Sequence, residues 1–191
     1  INGIQSTVQI AGKMKSVEQA FTNMGKKAGL TAGALNKLKK ATDGTVSELD
    51  LMTKANNAMA LGLVQSDEQM AELFDTAQRL GKALGQDTAA ALDSLVTGMG
   101  RQSKLMLDNL GIMIDTEKAY EDYADTLGKS ASSLTDQEKK VAFNNAAMKE
   151  AKRLVGEMGD EQLTAADSMA KMRAEVANAS AEMGNVFAPV V

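Results

Sequence analysis

The sequence predicts an all-α fold, and three observations predict it. The 191 residues include 30 Ala and 13 Met but only 16 Val and Ile together, a composition rich in helix formers and poor in strand formers. The one proline, Pro189, stands at the far end of the chain and leaves the rest uninterrupted. Apolar residues recur in alternating steps of three and four near both ends, the spacing of a helical stripe. An apolar share of 44% is too high for a typical disordered tail, and aromatics at 3% leave a core of Ala, Leu and Met. Such a core packs helices closely but buries little area per residue. The expected architecture is two long heptad-bearing helices flanking a compact multi-helix cluster, with no significant β-sheet.

Charge divides the chain into three blocks. Residues 1–42 carry seven Lys against Glu18, a net +6; residues 43–128 carry a net −9; residues 129–191 carry a net −1. Such asymmetry points to segments in different surroundings. The corresponding domains are an N-terminal basic helical rod over 1–44, a compact acidic helical cluster over 45–160 and a C-terminal heptad helix over 161–191. In the first, Ile10, Met14, Val17, Phe21, Met24, Ala28, Thr31, Leu35 and Leu38 form a seam with one polar member. Gly25, Gly29 and Gly33 lie within it, and a break or kink near Gly29 is favoured over an unbroken helix, because each Gly costs roughly 1 kcal/mol against Ala in a helix. Asp43-Gly44 stops the rod.

The middle reads as short helices with legible starts. Thr45-x-x-Glu48, Ser66-x-x-Gln69 and Thr135-x-x-Glu138 match the capping box, in which a hydroxyl and a side-chain acceptor satisfy orphan N–H groups. Helices are predicted at about 46–62, 67–85, 87–100, 103–110, 116–128 and 136–158. Gly85, Gly111 and Gly128 mark exits, with Ile112 and Ile114 packing as an extended corner. The last helix, capped by Thr164 and ended by Pro189, carries a second seam of Ala165, Met169, Met172, Val176, Ala179, Met183 and Val186.

The chain has no His and no Cys. That excludes disulfides, Cys or His metal sites and His- or Cys-based catalytic dyads. Gly128-Lys129-Ser130 lacks the Gly that a phosphate-binding loop needs at 123, where Tyr stands. Gly98-Met99-Gly100 has Ser103 where a dinucleotide fingerprint has its third Gly. Ser168-Met169-Ala170-Lys171 matches S-x-x-K at two letters only. The carboxylate pairs Glu121/Asp125, Asp67/Glu68 and Glu72/Asp75 read as solvated helix faces. No apolar run approaches the roughly 20 residues of a membrane span. No catalytic, cofactor-binding or metal site is expected. The Lys-rich start lacks the aromatics of a base-stacking surface, so direct DNA contact is not expected. The chain opens on Ile1 and is expected to be an internal segment of a longer polypeptide.

From about residue 45 to 188 the sequence resembles the helical segment of tailed-phage tail tape measure proteins. The carrying stretches are Ala90-Ala91-Leu92-Asp93-Ser94-Leu95 leading to Gly98 and Arg101, then Ser103-Lys104-Leu105-Met106-Leu107-Asp108-Asn109-Leu110-Gly111-Ile112. Ala119-Tyr120, Tyr123-Ala124, Leu127-Gly128-Lys129, Leu134-Thr135-Asp136-Gln137-Glu138-Lys139-Lys140 and Met183-Gly184 follow in order. The resemblance implies a structural virion protein without enzymatic activity in this segment. It would be assembled in the host cytoplasm, lie in the tail tube lumen, set tail length and be expelled before genome delivery. It further implies three self-associated copies, contact with the tail tube protein and tail assembly chaperones, and any membrane-inserting part elsewhere in the parent. The reading from another class is a cellular or secreted helical adaptor with no viral role.

Overall fold

The computed structural model describes residues 2–159 and 164–187. Among them every regular element is helical: α1 (Asn2–Lys27), α2 (Ala34–Ala41), α3 (Glu48–Ala60), α4 (Asp67–Ala83), α5 (Thr88–Gly100), α6 (Lys104–Asp108), α7 (Thr116–Thr126), a 3-10 turn at Ala131–Ser133, α8 (Asp136–Met158) and α9 (Ala165–Phe187). The all-α expectation holds, and the predicted starts and stops fall within a few residues of these bounds. The expected domain boundary at 160–161 and the helix end expected at Pro189 lie outside the described residues.

The break expected near Gly29 is present, so residues 1–44 form two helices rather than one rod. Gly29 has φ +73°, and the Leu30 N–H donates back to the Gly25 carbonyl at 2.8 Å. This 6→1 closure satisfies a carbonyl that the helix end leaves unpaired. A Cβ on Gly29 would stand 2.7 Å from the Gln65 carbonyl oxygen, so the position is closed to other residues by both conformation and space. The same closure ends α2 (Gly44 N–H to Lys39), α4 (Gln86 to Gly81), α5 (Ser103 to Gly98), α6 (Ile112 to Leu107) and α7 (Lys129 to Ala124).

At the starts, Thr135 and Glu138 form the predicted capping box: the Glu138 N–H donates to Thr135 Oγ1 at 3.2 Å and the Thr135 N–H to Glu138 Oε2 at 2.8 Å. Thr164 caps α9 likewise, with Asp167 as its partner. Ser66 accepts from the Gln69 N–H at 3.2 Å, but Gln69 Oε1 takes the Gln65 N–H instead of the Ser66 N–H. The Thr45 box is corrected. Ser47 caps α3 by accepting from the Asp50 N–H, while the Thr45 hydroxyl donates to the Thr42 carbonyl in the preceding turn. Ser47 stands directly before Glu48, the first helical residue, whereas Thr45 is two residues too far upstream to cap it.

The chain divides into two compact units, residues 1–60, 64–74 and 162–191 in one, and 61–63 and 75–161 in the other. In the first, α1 packs on α3 and on α9, and α2 packs on α3. Its core holds Ala34, Leu38, Leu51, Met52, Ala55, Met70 and Phe74. In the second, α5 packs on α6 and α8, and α7 packs on α8. Its core holds Leu80, Leu92, Leu95, Leu107, Leu110, Ile112 and Phe143. Two glycines there permit close approach: a Cβ on Gly81 would stand 2.6 Å from the Ala91 Cβ, and one on Gly98 would stand 2.6 Å from Leu107 Cδ2.

Candidate functional site

The two predicted seams end up in different places. In the N-terminal seam, Leu38 is fully buried, and Met14, Val17, Phe21, Met24, Ala28 and Leu35 are half-buried; Ile10 and the polar Thr31 are exposed. The Val17 carbonyl accepts from Asn56 Nδ2 of α3 at 3.2 Å. Phe21 and Leu35 come together with Leu30 and Met52 around a cavity of about 310 Å³. Most of this seam is therefore interior lining of its own unit.

The C-terminal seam is not. Met169 is 57% exposed, Met172 65%, Val176 61%, Met183 53% and Val186 71%. The face of α9 that does pack is made of small residues: Ala174 and Ala181 are 6% and 4% exposed, and Gly184 is buried too. Asn178 on this face accepts from the Glu48 N–H at the start of α3, at 2.9 Å. Short side chains bring α9 close to its neighbours, and the long apolar ones point away.

None of the sequence patterns considered for chemistry assembles into a site. Gly98 and Gly100 lie in the last turn of α5. A helix C-terminus presents carbonyls, the wrong polarity for a phosphate. Gly98 is there for the approach of Leu107, and Gly100 for that of Leu61. Gly128 ends α7 with φ +64°, and Lys129 pairs with Glu138 at 2.6 Å. That pair, followed by the Thr135 N–H and hydroxyl, holds the Glu138 carboxyl down to about 2. Ser168 Oγ donates to the Thr164 carbonyl at 3.3 Å within its own helix. Among the described residues, no three His, Cys, Asp or Glu are grouped as a metal site would need, and no helix is long and apolar enough to cross a membrane.

One carboxylate departs from the sequence reading. Asp67, expected on a solvated face with Glu68, is 3% exposed. It accepts from the Thr31 N–H at 2.9 Å and from the Thr31 hydroxyl, and Lys37 lies 3.3 Å away. Burial is the largest single influence on Asp67 and pushes its carboxyl up. The Thr31 hydrogen bonds and Lys37 together outweigh it and leave the carboxyl below its ordinary value. The group clamps the α1–α2 turn to the start of α4. Thr31, the one polar member of the first seam, was the available signal: a hydroxyl inside an apolar stripe needs a partner.

A second feature went unread. Lys104, Leu105, Asp108 and the extended stretch Ile112–Asp115 line an open groove of about 700 Å³. Ile112 is buried, while Leu105 and Met113 are each 76% exposed. Residues 112–115 carry no regular structure and their burial alternates, with Ile112 buried, Ile114 half-buried and Met113 turned outward. No family model matches this chain, and no solved structure matches it.

Proposed function

We propose that this chain is a segment of a tailed-phage tail tape measure protein, a structural protein that sets tail length in the tail tube and leaves ahead of the genome. The observation that carries the reading is the ordered series of stretches from Ala90 to Gly184, spaced as in that family over residues 45–188. The all-helical build supports it, because a helix encodes length in residue number at 1.5 Å per residue. Fully extended, 191 residues would measure roughly 290 Å. In the tube, the heptad-bearing first and last helices would flank the central helices, and copies would lie side by side against the tube protein, with three the number the resemblance implies. Tail assembly chaperones would hold the chain in the host cytoplasm before that. The segment's role is mechanical, not catalytic.

Tail length tests it. In-frame deletion of 20 residues from the parent gene should shorten tails by about 30 Å in electron micrographs. Tails of unchanged length would overturn the reading, as would reproducible hydrolysis of peptidoglycan or ATP by the segment that one point change abolishes. The second reading, a helical adaptor outside any virus, is favoured by the groove at Leu105 and Met113, which has the size and apolar lining of a recognition site.

A further inference from the structure

The turn that ends α2 is strained at one residue. Outside glycine, only Asp43 and Gln102 hold a positive φ among the described residues, and for an L-residue that left-handed backbone is costly. Asp43 has φ +52°, and the next residue, Gly44, has φ +68°. Asp43 is also exposed, and it begins the single Asp-Gly pair in the sequence. Three properties of the pair bear on one reaction. An aspartate carries an electrophilic carboxyl carbon one methylene from its own backbone, where the nitrogen of the following residue reaches it through a five-membered ring. Glycine at that following position has no Cβ to obstruct the approach, and a Cβ on Gly44 would meet no atom within 4 Å, so neighbouring chain does not cover this side of the turn. Strain stored in the left-handed residue raises the starting state of any step that lets the backbone leave it.

We propose that Asp43-Gly44 is a site of spontaneous isomerisation, at which the chain converts aspartate to β-linked isoaspartate with water as the only co-reactant. The Gly44 nitrogen attacks Asp43 Cγ. The N–Cγ bond forms, a Cγ–O bond breaks, and the departing oxygen leaves as water, carrying the amide proton and the proton of the carboxylic acid. Water then opens the succinimide ring. Addition at Cγ restores aspartate. Addition at the Asp43 main-chain carbonyl breaks its bond to the Gly44 nitrogen and routes the backbone through Cβ and Cγ. Ring closure consumes the Gly44 N–H, the donor that closes α2 on the Lys39 carbonyl at 2.8 Å. The β-linkage then adds one atom to the main chain between α2 and α3. The Thr45 N–H and hydroxyl, bonded to the Thr42 carbonyl at 2.9 and 2.7 Å across this turn, lose their register. The modification therefore unfastens the end of α2 while leaving the mass of the chain unchanged.

The full 191-residue protein tests it. Folded protein is incubated for weeks in warm, mildly acidic water enriched in heavy oxygen and then digested. Each peptide is fragmented by electron transfer, which distinguishes isoaspartate from aspartate. Asp125, exposed in the last turn of α7 and followed by Thr126, is the internal reference. Asp43 should accumulate isoaspartate and heavy oxygen about tenfold faster than Asp125, the ratio expected from the strain of one left-handed residue. Asp43→Glu moves the carboxyl one carbon further out and should abolish the signal at 43, with circular dichroism verifying unchanged helix content. Asn2-Gly3 would react by loss of ammonia and gain mass, so the two sites are read separately. Amide exchange at Thr45 should quicken as isoaspartate accumulates. Isoaspartate forming at 43 no faster than at 125 would overturn the proposal. So would accumulation that occurs only once urea unfolds the chain, because the turn would then shield the pair.

Discussion

At Glu138 a single carboxylate closes two structures at once: it completes the Thr135 cap of α8 and anchors Lys129 from the loop before it. Its carboxyl falls from an ordinary 4.5 to about 2 on folding. A depressed folded value contributes stability that is present above 4.5 and lost as pH falls through about 2. Glu138→Gln should therefore lower the urea midpoint at pH 7 and make no difference below pH 2, measured by circular dichroism at both. The glycines divide by surroundings in the same way. Gly12 in α1 and Gly156 in α8 have no atom within 4 Å of the Cβ they lack, so Gly12→Ala and Gly156→Ala should each stabilise by about 0.8–1 kcal/mol. Gly81→Ala meets the Ala91 Cβ, which is fixed to backbone and cannot swing aside. It should destabilise by about 1–3 kcal/mol in the same denaturation assay.

Gln102 occupies the left-handed position after α5 with φ +52°, the place Gly fills after α1, α4, α6 and α7. Gln102→Gly should raise stability by about 1 kcal/mol, since the left-handed conformation costs a residue with a Cβ roughly that much. The Asp67 clamp works in the other direction. Asp67→Ala leaves the Thr31 N–H without its acceptor and should cost about 1–3 kcal/mol, with faster amide exchange at Thr31 as its local signature. These ends explain what could be read in advance. Gly29, Gly85, Gly111 and Gly128 each announce a stop, because the 6→1 closure requires a backbone that Gly adopts freely, and Thr135 announces a start. Thr45 misled because Ser47 offers the same hydroxyl two residues nearer the helix, a choice that spacing alone does not make. Asp67 was out of reach for a different reason: its partner Thr31 is 36 residues away, and only the tertiary fold brings them together.

For the whole molecule, the two seams look alike in sequence and differ in exposure. A period of 3.5 shows that a helix has an apolar line; it does not show whether the chain itself covers that line. The difference for α9 lies in its other face, where the small residues Ala174, Ala181 and Gly184 are buried and α1 and α3 pack against that helix. Matched substitutions should separate the seams. Val17→Asp puts a charge on a half-buried face and should destabilise by about 1–3 kcal/mol without changing the sedimentation of the folded protein. Val176→Asp should leave thermal stability within about 0.5 kcal/mol. The outward placement of α9's methionines also exposes the chain to peroxide. A thioether that oxygen reaches becomes a polar sulfoxide, so dilute oxidant should modify Met169, Met172 and Met183 well before Met52 and Met70, which are 1% and 0% exposed. Each added oxygen turns a point on the apolar line of α9 into a hydrogen-bond acceptor and leaves the interior of the unit intact.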